Sequence, residues 1–343
     1  MIQNQNINNK EAGVLVDVKG LKKYFPVQSS FLDTIFSKEI DYVRAVDGVT
    51  FQIKSGEVFG LAGESGSGKT TIGRLILGLE EVTEGSIIFN GIDITAVGTN
   101  ELREMRSLMQ VIFQDPMASL NPRMTIGEAV GHGLVIHDLG NRAEIQAKTH
   151  AILEKVGLIP SNFFYNKYPH QISGGQRQRV VIARALVTNP IFILADEPIA
   201  MADVSVRALL LDLLISLKNE LELTYLFITH DLATAKYICD RIGVLYLGKF
   251  AELGDLEDIY SKPLHPYTQA LMAAVPVPNP RERRETEMPA GEIPNPINPP
   301  SGCRFHPRCP IAEAICSQEE PELRELLPEH FVACHFAERF LDQ

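Results

Sequence analysis

Apolar residues recur along this chain with two rhythms. Val14, Val16 and Val18 alternate with other residue types, and so do Val49, Phe51 and Ile53. A period of two is the mark of a strand with one buried face. Glu57 to Ala62 (EVFGLA), Ile191 to Ala195 (IFILA) and Tyr225 to Thr229 (YLFIT) are instead short, nearly continuous apolar runs, the pattern of strands buried on both faces. After Thr70 the apolar positions fall at Ile72, Leu75, Ile76 and Leu79, which is helical spacing. Strands separated by helical stretches predict an α/β fold with a mostly parallel sheet. Between about 98 and 190 the pattern is mainly helical with Glu/Arg-rich faces, so a helical subdomain is expected inside the α/β core.

Other stretches have no period. The residues up to about Lys10 read as a flexible tail, and 28–41 as a surface insertion. Residues 276–300 hold eight prolines and the charge run Arg281 to Glu285, a composition that favours an extended tether. The chain of 343 residues gives a prior of about two domains. Its 45% apolar and 22% charged content excludes disorder for the bulk. No window reaches the ~18 uninterrupted apolar residues of a spanning helix. The polar start, Met1 to Asn6, lacks the basic-then-apolar order of a secretory signal, so a soluble, cytoplasmic protein is expected. A net charge of −11 argues against nucleic acid as a partner, because such binding rests on Lys and Arg neutralising phosphates.

Gly63-Glu64-Ser65-Gly66-Ser67-Gly68-Lys69-Thr70, with Thr71 behind it, fits G-x-x-x-x-G-K-[ST] between a predicted strand and a predicted helix. Glycines let backbone N–H groups close on phosphate oxygens, and the following helix offers the positive end of its dipole. Lys69 is expected on the β- and γ-phosphates and the Thr70 hydroxyl on Mg²⁺. Asp196 and Glu197 end an apolar run. There Asp196 can hold Mg²⁺ through water and Glu197 can polarise an attacking water. Ser173-Gly174-Gly175-Gln176 opens a predicted helix and is a second anion site. One γ-phosphate does not need two such sites, so the second is expected to serve a nucleotide held mainly by another subunit.

This order of motifs resembles the nucleotide-binding subunits of ATP-binding-cassette (ABC) transporters, over residues 14 to about 255. The resemblance implies a P-loop, RecA-like parallel core with an antiparallel β subdomain and the inserted helical subdomain. It also implies that Gln114 in Phe113-Gln114-Asp115-Pro116 touches Mg²⁺ and the membrane subunits, and that His230 contacts the γ-phosphate. Phe25 is the expected aromatic on adenine, with Tyr24 as the alternative. Longer strings, Phe113 to Arg123, Lys262 to Thr268 and Pro299 to Pro310, are similar to the dipeptide/oligopeptide branch. That branch implies an ATPase that pairs with a second, different ATPase subunit, two permeases and an extracytoplasmic peptide-binding protein, at the cytoplasmic face of the membrane. Nickel and glutathione importers share much of the pattern. A soluble ABC ATPase of iron–sulfur assembly is a further alternative. One departure stands out: where the family reads Ser-Ala-Leu-Asp, this chain has Ala200-Met201-Ala202-Asp203. The loss of the serine hydroxyl implies weaker hydrolysis at the partner's site.

Residues 256–343 are expected to form a C-terminal extension, with the tether followed by a cysteine module at 301–343. Of five cysteines, Cys303, Cys309, Cys316 and Cys334 fall in the last 41 residues, and Cys239 stands apart as a core residue. A reducing compartment disfavours disulfides, so the four read as thiolate ligands. Their chemistry suits tetrahedral zinc or a [4Fe–4S] cluster. Spacing leaves the metal open; the resemblance implies iron–sulfur. Because the proline-rich stretch intervenes, the module is expected to stand apart from the phosphate loop.

Overall fold

The computed structural model describes residues 13–27, 41–274 and 291–341. The tail up to Lys10, nearly all of the 28–41 insertion and the first part of the proline-rich stretch lie outside these residues. In chain order the strands are β1 (Val14–Pro26), β2 (Tyr42–Lys54), β3 (Val58–Ala62), β4 (Glu84–Phe89), β5 (Ile92–Asp93) and β6 (Met109–Ile112). They continue with β7 (Phe192–Asp196), β8 (Thr224–Ile228), β9 (Arg241–Tyr246), β10 (Lys249–Asp255), β11 (Arg324–Leu327) and β12 (His330–Val332). The main helices are α1 (Lys69–Ile76), α2 (Ile126–Ile136), α3 (Arg142–Lys155), α4 (Gly174–Leu186), α5 (Val204–Leu221) and α6 (Pro266–Ala273).

The chain divides into two units, one built on Lys54–Val58 and Ala96–Ile228, the other on Leu15–Ile53, Phe59–Thr95 and Thr229–Gln343. In the first, β6 and β8 flank β7 and all run parallel, with Val111 opposite Leu194 and Leu194 opposite Leu226. Every residue of β8 is buried, as its continuous apolar run requires. The stretch between 98 and 190 is not helical throughout, because Met109–Ile112 pairs with β7. Helices α2, α3 and α4 are the longest elements of the remainder. Each begins at a reciprocal capping box, Thr125 with Glu128, Asn141 with Glu144 and Ser173 with Gln176. Such a box satisfies orphan donors at a helix start from both sides.

The second unit holds an antiparallel sheet in the order β2-β1-β4-β5. Val49, Phe51 and Ile53 point inward from β2 and their neighbours outward, so the alternation fixes the face. Its other strands start with β3, parallel to β9, with Leu61 opposite Gly243. The hairpin partner β10 follows, then β12 and β11, all antiparallel. Strands from residues 324–332 therefore extend a sheet begun by residues 241–255. A fully buried carboxylate, Glu252, fastens this junction. It accepts the N–H groups of Leu264 and His265 at 2.8 and 3.0 Å and lies 2.7 Å from Nε2 of the equally buried His330. Phe305 is buried among Val244, Tyr246, Leu247, Ala251 and Tyr267, with Cys303 and Cys309 packed on the same cluster. The proline-rich stretch thus separates the cysteine module from the rest of the unit in sequence but not in space.

Candidate nucleotide site

The phosphate loop lies between β3 and α1, where strand, glycines and helix follow in the order the motif requires. Gly63 has φ +144° and Gly68 φ +106°, and each approaches another backbone closely. A Cβ at Gly63 would stand 2.2 Å from the carbonyl oxygen of Leu245, and one at Gly68 2.2 Å from that of Ala45. Only glycine fits either place. The Lys69 ammonium is buried inside the loop. It donates to the carbonyl oxygens of Gly63 at 2.7 Å and Glu64 at 2.9 Å and to the Ser67 hydroxyl at 3.4 Å. Ser65 and Gly66 are exposed at the rim, while Thr70 and Thr71 are half-buried in the first turn of α1.

Of the two aromatic candidates, Tyr24 is already engaged. Its hydroxyl donates to the Asp47 carboxylate and its ring lies beneath Arg44. Burial and that bond push the Tyr24 phenol up to about 12. Burial works to raise the Asp47 carboxyl as well, but the Tyr24 hydroxyl and the Arg304 charge outweigh it and hold the pKa below the usual range. The Phe25 ring is half-buried beneath Lys23. His230 is exposed after β8.

The first unit carries Gln114, Asp196, Glu197 and the Ser173 to Gln176 segment. Asp196 closes β7, and Glu197 follows with φ +48°, a left-handed conformation uncommon for a non-glycine residue. Its N–H donates to the carbonyl oxygen of Ile228 at 3.0 Å, so the neighbouring strand holds the turn. The Gln114 amide donates to the Glu197 carboxylate at 2.8 Å. Ser173 and Gly174 are exposed at the start of α4, and Gly175 and Gln176 are half-buried behind them. The Gln178 amide on the same helix donates to the Pro198 carbonyl oxygen, tying α4 to the turn after Glu197.

The four clustered thiols lie near one another. Burial raises Cys303 to about 12 and Cys334 to about 11, and it raises Cys309 too; nearby thiols add to each shift. Backbone N–H groups of Phe305, Ile311 and Phe336 point at the sulfurs of Cys303, Cys309 and Cys334, the last at 3.4 Å. Cys303 is also tied to Cys316, whose carbonyl oxygen accepts its N–H at 2.8 Å. Among the described residues, no three His, Cys, Asp or Glu side chains are gathered as a single metal ion requires. Cys239 is buried elsewhere, against Gly60.

Sequence reasoning missed the groups that hold the loop from outside. Tyr267 accepts the Glu64 N–H at 2.8 Å, and Arg308 pairs with the Glu64 carboxylate. Arg304 and Asp47 form a buried ion pair. The available signal was two arginines crowded between Cys303 and Cys309 in a protein whose ligand is anionic.

The ABC transporter family profile matches residues 46–200, and that of the oligopeptide/dipeptide transporter C-terminal region matches 251–316. The oligopeptide transport ATP-binding protein AppF of Bacillus subtilis is 47% identical over 94% of this chain and 97% of its own. The oligopeptide transport ATP-binding protein OppF of Salmonella typhimurium is 45% identical over 94% and 96%. A solved dimeric ATP-binding cassette, in a post-hydrolysis state with ADP and phosphate, superposes with a TM-score of 0.61 at 32% identity, covering 70% of this chain and 98% of that one. The chain belongs to the ABC transporter ATPases, in the branch that carries the oligopeptide/dipeptide transporter C-terminal region. Its fold is the P-loop ABC ATPase fold, and its reaction is ATP hydrolysis.

Proposed function

We propose that this chain is the ATPase subunit of a peptide importer, and that it pairs head-to-tail with a second, different ATPase on two permease subunits fed by an extracytoplasmic peptide-binding protein. The naming of relatives matched over nearly their whole length supports the peptide assignment. No described helix is long and apolar enough to cross a membrane, which suits a subunit attached through permeases. The observation that carries the ATP site is the Lys69 ammonium drawn into a loop whose close approaches admit only glycine at two points.

In this reading Phe25 stacks on adenine, and the backbone of Gly63 to Thr71 with Lys69 takes the phosphates. The Thr70 hydroxyl, Asp196 and Gln114 are oxygen donors, the chemistry a hard divalent cation prefers. Mg²⁺ held there would neutralise charge on the phosphate oxygens. Glu197 orients the attacking water, and His230 meets the γ-phosphate. Ser173 to Gln176, exposed at their helix start, serve the partner's nucleotide. Catalysis is positioning and charge neutralisation, as in other phosphoryl transfers. Glu197→Gln should keep ATP affinity and remove hydrolysis at this chain's site, whereas Lys69→Ala should weaken binding itself. Titrating nucleotide and measuring turnover separately checks this; equal loss of binding in both variants overturns the roles.

We further propose a [4Fe–4S] cluster on Cys303, Cys309, Cys316 and Cys334. Zinc, which takes four thiolates in a tetrahedron, is the alternative for the same four residues. The four thiolates would be the iron ligands, and the N–H groups of Phe305, Ile311 and Phe336 aimed at sulfur would stabilise their charge. Anaerobic preparations should contain about four irons and four sulfides per chain. Cys239→Ser should keep them. Stoichiometric zinc without iron rules the cluster out.

A further inference from the structure

The segment between Cys303 and Cys309 reaches the nucleotide-binding elements at two separate points. Arg308 places both terminal nitrogens on the Glu64 carboxylate, at 2.8 and 3.1 Å. This is a bidentate, charge-assisted pair, among the strongest and most directional of side-chain contacts. The arginine is 8% exposed and Glu64 26%, so solvent screens the pair little. The guanidinium is itself held by Tyr246, whose hydroxyl accepts at 3.4 Å. Tyr267 takes the Glu64 N–H at 2.8 Å. Glu64, second residue of the phosphate loop, is therefore fixed at both backbone and side chain by residues that include two from beyond 255.

The second point is Arg304, which pairs with Asp47 and donates to the Leu247 carbonyl oxygen. Asp47 holds Tyr24, the neighbour of Phe25. The adjacent Gly248 joins the two points, donating to the Ser67 carbonyl oxygen and accepting the Asp47 N–H, both at 2.9 Å.

We propose that Arg308 is a positioning residue for the nucleotide: by pinning Glu64 it sets the shape of the phosphate loop, so that ATP affinity depends on the folded Cys303–Cys309 segment. This rests on reading residues 63–71 as the ATP site. Arg308 acts through Glu64 alone and not on the phosphates.

The test uses the full chain and Mg-ATP as probe, with affinity, KM, kcat and Tm measured for Arg308→Ala, Arg308→Lys, Glu64→Gln and the Arg308→Ala/Glu64→Gln double variant. Either alanine or glutamine change should weaken ATP binding by about fivefold or more, the lower range of measured couplings between sites. The double variant should be no worse than the poorer single, because both remove one contact. Lysine should restore only part of the affinity, since it keeps the charge but cannot present two parallel donors. The loss should appear in KM more than in kcat. A merely structural arginine would lower Tm, affect kcat and KM alike, and be indifferent to Glu64→Gln. Wild-type affinity in Glu64→Gln, or fully additive losses, overturns the proposal. If Arg308→Ala does not fold, Glu64→Gln and Arg308→Lys decide it. Lys69→Ala is the control: if it binds ATP like the wild type, the reading of the site has failed rather than the positioning role.

Discussion

At the scale of single residues, two glycines of the phosphate loop separate backbone conformation from close approach. Gly66 has φ +78° and nothing within 4 Å of an added Cβ, whereas Gly68 has φ +106° and the Ala45 carbonyl oxygen at 2.2 Å. Gly66→Ala should therefore cost about 1–2 kcal/mol, the penalty of a left-handed residue. Gly68→Ala must in addition displace a backbone, so its melting temperature should fall further and its ATP affinity drop sharply. Melts and nucleotide titrations of both variants check this, and equal losses would contradict the close-approach account. Phe305 makes the same kind of argument for packing. It is 2% exposed in an aromatic cluster with Tyr246 and Tyr267, at ring separations of 5.3 Å from each. Phe305→Ala should destabilise by about 3–5 kcal/mol, read from denaturant midpoints.

At the scale of elements, the turn from Glu197 into α5 and the start of α6 carry consequences of different kinds. The Ala200-Met201-Ala202 turn is closed by N–H bonds from Ala200 to the Glu197 carbonyl oxygen and from Ala202 to that of Ile199, both 3.1 Å. Met201 is 66% exposed, leaving this turn available to a partner without the usual serine hydroxyl. One such hydrogen bond contributes about 0.5–1.5 kcal/mol. Restoring Ser-Ala-Leu at 200–202 in the assembled transporter, with Glu197→Gln silencing this chain's own site, should speed residual hydrolysis by about 2- to 13-fold; an unchanged rate counts against it. At α6 the cap is His265, whose Nδ1 accepts the Tyr267 N–H at 3.0 Å and so must carry no proton. Burial holds its pKa down to about 4, against an ordinary 6.5, although Glu252 nearby opposes the shift. The unfolded chain binds the proton first, so this contribution is complete above about pH 6.5 and shrinks as pH falls toward 4. His265→Asn keeps an acceptor that does not titrate; its stability should fall less steeply over that interval in denaturant series at successive pH values.

At the scale of the whole molecule, what could be read from the sequence divides by how local the cause is. The buried strands β3, β7 and β8 announce themselves as apolar runs because both faces meet core, and the phosphate loop does so because its spacing is rigid. The hairpin of β11 and β12 is too short, at four and three residues, for any period to show. The pairing of Arg308 with Glu64 spans 244 positions, and no local pattern records a contact that long. For the same reason the tether looked like a separator: composition reports stiffness along the chain and nothing about where the far end docks. That docking also settles the fate of β10. One side of it faces β9; on the other, β12 takes up Glu252 and Leu253, and Ala333 donates to the Ala251 carbonyl oxygen at 2.9 Å. A strand stripped of such a neighbour exposes a row of unmatched N–H and C=O groups that any other chain can template upon. A protein shortened to residue 274 should accordingly scatter light and sediment as aggregates at concentrations where the full chain does not. The last forty residues are a hem as much as a thiol module: they keep the fabric of the sheet from being stitched to its neighbours.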